Sequence, residues 1–392
     1  MDYNTESLIA KVDRERLKQL TLDFVKIPSP TLHEKEFSEY YADLLRSMGI
    51  DVELDYEFPD SPSVIARIKG QEPGPTIQFD GHTDTIPTVH PEPYCEGDTI
   101  YGRGTADMKS SLAAIAEMAR VFVESSAKFK GEILITAHGL HEAPWGENET
   151  LRSLIDKKIF GDATVVGELG GTFLPIVGKG LTIFEFIITR EGPVLHETMI
   201  GTDVVNPIWA GHRLLEVLRD GVEQLTHEPY EYVGPDSLFI GIFEGGDFYN
   251  RVTQKCRIVG TRRHTPKRTV ADVRNELESA VQQIEQEMNV KVTLNLQRME
   301  EAFQLSQNEK IVRAIRKAYL EVTGNELPYG GTSTIANGTH LIQWASVPSV
   351  CHAVDSTTAH ADLEFVHLED IVRATRVYIA TALNFFGQNR VQ

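Results

Sequence analysis

Cysteine is scarce in this chain of 392 residues, which contains only Cys95, Cys256 and Cys351. An odd number of widely spaced cysteines without a CxxC pair indicates neither a disulfide framework nor a thiolate zinc site. Long apolar runs are also missing, since no stretch reaches the roughly 18 apolar residues of a membrane-spanning helix, and the N-terminus lacks the apolar segment of a signal peptide. We therefore expect a cytoplasmic protein without a membrane partner.

Positive charge is in deficit as well. The chain has 38 Lys and Arg against 57 Asp and Glu, a net charge of −19, and the acidic residues occur throughout the sequence. Such a surface repels phosphate backbones, so nucleic acid is not an expected partner. Hydrophobic residues make up 41% and charged residues 24%, which is typical of a folded globular protein, and the length favours two domains.

The order of predicted elements indicates one domain inserted into another. Helices and short apolar strands alternate over residues 1–177 and again over 299–392, a pattern typical of an α/β domain with a mixed sheet between helices. The chain opens with a predicted helix over Ser7–Val25. Residues 178–298 have the β-α-β-β-α-β order of an α+β ferredoxin-like module.

Several potential metal ligands follow strands or loops of the larger domain. Individually they have ordinary explanations: His82 is also explained as a hydrogen-bonded loop histidine, and Asp107, before a long helix, as an N-cap. Taken together, two imidazoles and several carboxylates at strand ends match the needs of a pair of divalent metals. The predicted ligands are His82, Asp107, Glu142, Glu168 and His360.

The segments around these residues resemble a known family, the co-catalytic zinc hydrolases that include acetylornithine deacetylase, succinyl-diaminopimelate desuccinylase, aminoacylase and glutamate carboxypeptidase. GHTDTIP resembles the family's first metal motif and YGRGTADMKSSLAA its second, and the resemblance spans nearly the whole chain. It implies a zinc-peptidase-like catalytic domain with two divalent metal ions, expected to be zinc with cobalt or manganese as alternatives. In this resemblance Asp107 bridges the metals and Asp84 orients His82.

The inserted module resembles the family's lid and dimerisation domain, which implies a homodimer. His196 in REGPVLH then corresponds to a histidine that reaches the partner subunit's active site. Arg263 resembles the arginine that binds a substrate carboxylate, with a solvated strand arginine as the other interpretation. Three further residues are expected at the substrate: Asn250, Gly331 and Thr332.

One departure from the family pattern concerns the general base. The family usually has two consecutive glutamates after the strand, whereas this chain has His141 followed by Glu142. An imidazole can accept a proton from water and return it to a leaving amine, so His141 is the predicted base. The alternatives are that Glu142 is the base in a one-metal site, that His141 is an additional ligand, or that activity is weakened or lost. Thr334 also departs from the family, which has aspartate after GGTS.

The expected function is that of a metal-dependent hydrolase that cleaves the amide (C–N) bond of an N-acyl amino acid or a small peptide through a metal-activated water. Its substrate is then a small molecule or short peptide with a carboxylate. Two alternatives stay open, the first because His141 and Thr334 alter the polar pocket and the second because the family's first glutamate is missing. One is a hydrolase of a nonpeptide amide or aryl amine, and the other is a catalytically silent, metal-binding dimeric homologue.

Overall fold

The computed structural model describes residues 5–201, 204–225, 227 and 229–387. These residues form two compact units. The first consists of the described residues of Met1–Ile176, Leu305–Tyr329 and Ala336–Gln392, and the second of those of Val177–Gln304 and Gly330–Ile335. The last of these segments lies within the range 299–392 that the sequence analysis assigned to the larger domain.

The first unit contains most of the helices and strands before residue 179. They are α1 (Thr5–Ile9), α2 (Arg14–Lys26), α3 (Lys35–Ser47), β1 (Asp51–Asp55), β2 (Ser63–Lys69), β3 (Glu72–His82), β4 (Tyr94–Glu96), β5 (Thr99–Tyr101), α4 (Lys109–Glu124), β6 (Lys130–His138), α5 (Glu149–Asp156), β7 (Ala163–Val166) and β8 (Leu174–Gly178).

The opening helix is broken, contrary to the prediction of one helix over Ser7–Val25. Residues 10–13 separate α1 from α2, and the Asp13 side chain accepts a hydrogen bond from the Arg16 N–H at 3.0 Å. An aspartate that satisfies a free backbone N–H in this way favours a helix start over a helix interior. The apolar spacing runs through the break and therefore did not reveal it.

The second unit is built around a four-stranded antiparallel sheet. Its elements are β9 (Gly180–Thr189), a 3₁₀ turn (Glu197–Met199), α6 (Pro207–Leu225), β10 (Ser237–Gly245), β11 (Lys255–His264), α7 (Val270–Met288), β12 (Lys291–Glu300) and β13 (Phe303–Gln304). The strands lie side by side in the order β10-β11-β9-β12, and along the chain α6 follows β9 and α7 follows β11. This is the arrangement of a ferredoxin-like module. The inner face packs Phe184, Phe186 and Ile258 against α6 and α7.

The remaining elements follow in the last part of the chain. They are α8 (Lys310–Thr323), β14 (Tyr329–Thr332), α9 (Asn337–Ala345), β15 (Ser349–Cys351), β16 (Phe365–His367) and α10 (Leu368–Gly387). Helix α10 is apolar on most of its surface and packs against α8 and α4. A helix that is hydrophobic nearly all round belongs in a core, and α10 is therefore central to the first unit.

The main sheet of the first unit has six strands in the order β1-β2-β6-β3-β7-β15. The pairs β6·β3, β3·β7 and β7·β15 are parallel, whereas β1 and β2 are antiparallel additions at one edge. The predicted mixed α/β fold is confirmed. In this arrangement four parallel strands direct their carboxyl ends to one edge, where ligand sites of open α/β sheets form.

Candidate metal centre

The carboxyl ends of the parallel strands bring the predicted ligands together. Strand β3 ends at His82, which lies in register with His138 at the end of β6, and Asp80 of β3 lies in register with Val166 at the end of β7. Glu142 follows β6 by four residues and Glu168 follows β7 by two. Although separated widely in the sequence, these side chains emerge at one sheet edge.

The donor atoms of the five predicted ligands converge. His82 Nε2 lies 2.9 Å from Asp107 Oδ1 and 3.9 Å from Glu168 Oε1. His360 Nε2 lies 3.0 Å from Glu142 Oε1 and 3.3 Å from the other Asp107 oxygen, Oδ2. The two oxygens of Asp107 therefore face two different histidines, which is the arrangement that a carboxylate shared between two cations needs.

Two overlapping groups of residues have donor atoms within 4.8 Å of one another and could each hold a metal ion: His82, Asp107 and Glu142, and His82, His141 and Glu168. The second includes His141. Imidazole nitrogens and carboxylate oxygens suit zinc, cobalt or manganese. Carboxylates at such short separations repel one another unless positive charge lies among them, and two divalent metals supply it, so the donor set fits a divalent metal pair.

Asp84 holds the turn that carries His141 and Glu142. Its buried carboxylate accepts hydrogen bonds through Oδ2 from the backbone N–H groups of His141 and Glu142, at 3.0 and 2.9 Å, and from the Thr31 hydroxyl at 3.0 Å. The His82 ring contacts the same residue, with Nδ1 3.0 Å from the Asp84 carbonyl oxygen and 3.5 Å from Oδ1. Asp84 therefore orients the segment 141–142 as well as His82.

A second buried carboxylate fixes the turn before Asp107. Glu364 accepts hydrogen bonds from the N–H groups of Gly104, Ala106 and Asp107 at 3.1, 2.8 and 3.0 Å, and from the Arg103 side chain at 2.8 Å. Glu364 is not among the residues predicted from the sequence, although it lies only four residues after His360. The only indication of its role in the sequence was that it is an acidic residue close to the predicted ligand His360.

The backbone is strained beside three donors. Leu140, Leu169 and His360 have φ values of 55°, 54° and 63°, in the left-handed region that side chains with a Cβ rarely adopt. Each such residue costs on the order of 1–3 kcal/mol, which surrounding contacts must offset. At Leu140 the N–H donates to buried Glu34 Oε1 at 2.9 Å. The strained residues therefore lie at or directly beside His141, Glu168 and His360.

The carboxylates raise the pKa values of the histidines. Hydrogen bonds to Asp107 and Glu142 raise the pKa of His360 to about 10, although partial burial opposes them. Burial and the nearby His82 each lower the pKa of His141, but the negative charges of Glu168 and Glu142 outweigh them and raise it to about 9. Without metal, therefore, both imidazoles are protonated at neutral pH.

We expect the metal-stripped protein to lose stability as pH rises from about 7 to about 10. A histidine with a raised folded-state pKa contributes stability fully below its unfolded pKa of about 6.5 and loses that contribution as pH passes the folded value. Denaturant unfolding at pH 6.5, 8 and 10 measures the change. The His360→Ala variant should have a weaker decline, and an equal decline in both proteins would contradict this origin.

The remaining predicted site residues lie in the second unit. Asn250 Nδ2 lies 2.8 Å from His196 Nε2, and the half-exposed His196 ring also contacts Glu197 Oε2 at 3.1 Å. The Arg263 guanidinium donates to the Ser333 carbonyl oxygen, next to Thr332. Gly331 has no room for a side chain, since a Cβ would lie 2.4 Å from the Val233 side chain.

Three buried polar residues near the donors had no signal in the sequence. Asn148 and Asn337 both contact the His141 ring, and Asn337 also contacts Asp80. The side chains of Asn148, Asn337 and Asp80 are all fully buried. They lie far apart in the sequence and outside any motif, so only the folded chain brings them together.

No helix among the described residues is both long and apolar enough to cross a membrane. Donors of this kind at the carboxyl edge of a mixed α/β sheet define a candidate divalent-metal site. Residues 79–384 match the model of peptidase family M20/M25/M40, which identifies the class of protein as a metallohydrolase. That match covers more than half of the sequence, and the chain belongs to this family.

Individual proteins are similar to this chain in sequence or in fold. A succinyl-diaminopimelate desuccinylase of Methylobacterium radiotolerans is 28% identical over 378 residues, which is 88% of this chain and 93% of that protein. A tripeptidase of Staphylococcus aureus has a TM-score of 0.79 at 17% identity, with 95% of this chain and 99% of that chain covered. A dinuclear metal-binding peptidase of this family from Bacillus subtilis has a TM-score of 0.71 at 16% identity, with 95% and 98% covered.

Proposed function

We propose that this chain hydrolyses the amide bond of an N-acyl amino acid or a short peptide that carries a free carboxylate. The observation that carries the proposal is the convergence of His82, Asp107, Glu142, Glu168 and His360 within one sheet edge. The similarity to a desuccinylase supports an N-acyl substrate, and the fold shared with a tripeptidase is compatible with a peptide.

Two divalent metals, which we propose to be zinc, would be held by these five residues, and Asp107, whose two oxygens face His82 and His360, would be the shared ligand. Bound metals polarise an amide carbonyl and lower the pKa of a water to about 7. The protein's own contribution is to fix the donors: Asp84 and Glu364 hold the backbone of two ligand segments through five N–H groups. A rigid donor set of this kind requires little reorganisation during the reaction.

His141 is the proposed proton carrier. Its ring stacks on His82 with centroids 4.3 Å apart, and its Nε2 lies 3.5 Å from Glu168 Oε1. At this position an imidazole can take a proton from the attacking water and transfer it to the departing amine. The same position of His141 would also suit a metal ligand beside His82 and Glu168. An experiment distinguishes this role from that of a proton carrier.

Hydrolytic activity and metal content together test the proposal. The purified protein should contain about two divalent metals per chain, and it should cleave members of a panel of N-succinyl amino acids, N-acetyl amino acids and dipeptides until a chelator is added. Cleavage of aryl amides alone would favour the nonpeptide alternative. Bound metal without turnover on any of these compounds would indicate the silent homologue.

Arg263 is proposed to bind the substrate carboxylate. Replacement by lysine removes the planar pair of donors that suits this anion, so we expect Arg263→Lys to raise KM by about tenfold with little change in kcat. Steady-state kinetics on one substrate and its C-terminal amide measure the effect. The amide should bind wild type and variant equally, and an equal rise in KM for both compounds would contradict the role.

We further propose a cytoplasmic homodimer formed through the second unit, with His196 reaching the partner's site. Large apolar side chains are exposed on this unit, notably Phe239, Trp209 and Tyr249, with 67%, 65% and 89% of their surface accessible. Exposed apolar groups of this size are typical of association surfaces. The three cysteines are unpaired, as a reducing compartment requires.

Sedimentation of the Phe239→Asp variant tests the dimer. Phe239 lies on the edge strand β10, and a charge there should convert a dimer of about 88 kDa, twice the chain mass of 43.8 kDa, into a monomer. If His196 acts on the partner's substrate, the monomeric variant also loses turnover. A Leu320→Asp variant is the control, because Leu320 is similarly exposed, at 46%, but lies on α8 of the first unit.

A further inference from the structure

The Nδ1 atom of His141 faces two side-chain amide oxygens. Asn337 Oδ1 lies 2.8 Å from it and Asn148 Oδ1 lies 2.9 Å from it. Both asparagines are fully buried, and they come from different elements: Asn148 immediately precedes α5, and Asn337 is the first residue of α9. Two independent segments of the chain therefore converge on a single ring nitrogen.

The partners of Asn337 determine which end of its amide faces the histidine. Asn337 Nδ2 lies 3.1 Å from Asp80 Oδ2 and 3.3 Å from His138 Nε2. Asp80 is a buried carboxylate that also accepts from the Thr136 hydroxyl at 2.5 Å. Because a carboxylate accepts hydrogen bonds, the amide nitrogen of Asn337 must face Asp80 and its oxygen must face His141.

Asn148 has a separate partner. Its Nδ2 lies 3.2 Å from His340 Nε2, a contact in which the amide nitrogen donates, and its oxygen is turned to His141. An amide oxygen only accepts, and a ring nitrogen between two of them must carry the hydrogen. The opposite tautomer would leave three lone-pair atoms facing one another in a buried site.

We propose that Asn337 and Asn148 are positioning residues that hold a proton on Nδ1 of His141, so that in the metal-loaded protein Nε2 is the ring nitrogen with a free lone pair on the side of the metal centre. The inference rests on the proposed function for the role of His141 but not for its tautomer. A glutamate at this position has no tautomer to fix, whereas an imidazole is useful there only if the correct nitrogen is free.

Asn337 also contacts one of the five predicted metal ligands. Its backbone N–H lies 3.3 Å from Glu168 Oε2, while His141 Nε2 lies 3.5 Å from the other oxygen of that carboxylate. One residue therefore fixes Nδ1 of the ring through its side chain and contacts, through its backbone, the carboxylate that faces Nε2. A purely space-filling asparagine would need neither contact.

The test is the tautomer of His141 in the zinc-loaded protein, measured from imidazole ¹⁵N resonances of selectively labelled histidine. His141→Ala assigns the signals. Wild type should have a single Nδ1–H form, and the Asn148→Ala/Asn337→Ala double variant should have a mixture of both tautomers, with zinc content unchanged. We expect kcat to fall about 10- to 100-fold at unchanged KM in the double variant.

Each single asparagine variant, which retains one amide oxygen, should have a smaller fraction of the Nε2–H form than the double variant but more than wild type, and it supplies the result if the double variant does not fold. Asn384→Ala is the matched control, because it removes a buried amide that pairs with Lys317 and Glu321 away from the centre. An Nε2–H form in wild type, or an unchanged tautomer in the double variant, overturns the inference. A tautomer shift in a protein that cleaves no amide would instead overturn the proposed function alone.

Discussion

His141→Ala should abolish most turnover, by a factor of about 10² to 10⁴, while the protein retains two metals per chain. General acid–base catalysis by a positioned side chain contributes about this much to a rate. The side chain lies beside the five predicted ligands, with its Nε2 3.5 Å from Glu168 Oε1, and we propose that it acts as a base and not as a sixth ligand. Its loss should therefore leave the metals in place and remove the proton transfer.

Metal analysis decides between the two roles of His141. If the ring is a third ligand with His82 and Glu168, the alanine variant loses one of its two metals together with its activity. A His141→Glu variant, which restores the pair of glutamates usual in the family, should regain part of the turnover if the residue is a base. His212→Ala, at a histidine with 59% of its side chain exposed, is the control. Wild-type turnover in His141→Ala would contradict both roles.

Asp107→Asn should remove both metals and reduce turnover by about a thousandfold or more. The two oxygens of Asp107 face His82 and His360, so one carboxylate belongs to both halves of the centre. Asparagine has nearly the same shape but no negative charge, and it offers only one oxygen. The metals supply several kcal/mol of transition-state stabilisation, and each 1.4 kcal/mol or so corresponds to a factor of ten in rate.

Thermal unfolding measures the same loss without reference to activity. A metal that binds only the folded protein stabilises it by about 4 kcal/mol when present at about 1,000 times its Kd. Added zinc should therefore raise the Tm of stripped wild type and leave that of Asp107→Asn nearly unchanged. The control is Asp43→Asn, at an exposed carboxylate paired with Arg46 on α3. An equal zinc-dependent rise in both variants would rule out the shared-ligand role of Asp107.

The mixed α/β fold and the convergence of its acidic and histidine residues could be predicted from local patterns. The last apolar residues of β3 and β7 are Phe79 and Val166, shortly before His82 and Glu168, and a strand end is visible in the sequence because the apolar residues stop there. Parallel strands then bring such ends to a single edge. The break at residues 10–13 was not predictable from the same patterns, because apolar spacing continues across it and a single capping aspartate decides the outcome.

The hydrogen bonds that orient the donors could not be predicted in this way. Glu364 binds the turn at Asp107 across 257 residues, and Asn337 binds Asp80 across the same separation. Neither partner is marked by periodicity, since a buried polar residue interrupts an apolar pattern whether or not it has a function. Asp84 was assigned to His82 alone, but its carboxylate also holds the N–H groups of His141 and Glu142.

The amino-acid sequence by itself determined the residue types of the centre, their positions after strands, and the replacement of a glutamate by His141, because these are properties of short segments. Only the tertiary structure decided which oxygens face which nitrogens, that Asp107 lies between two histidines, and that two buried amides face Nδ1 of His141. Such contacts depend on directions and distances of a few ångströms between side chains on different elements, and these are established only when the strands and helices pack.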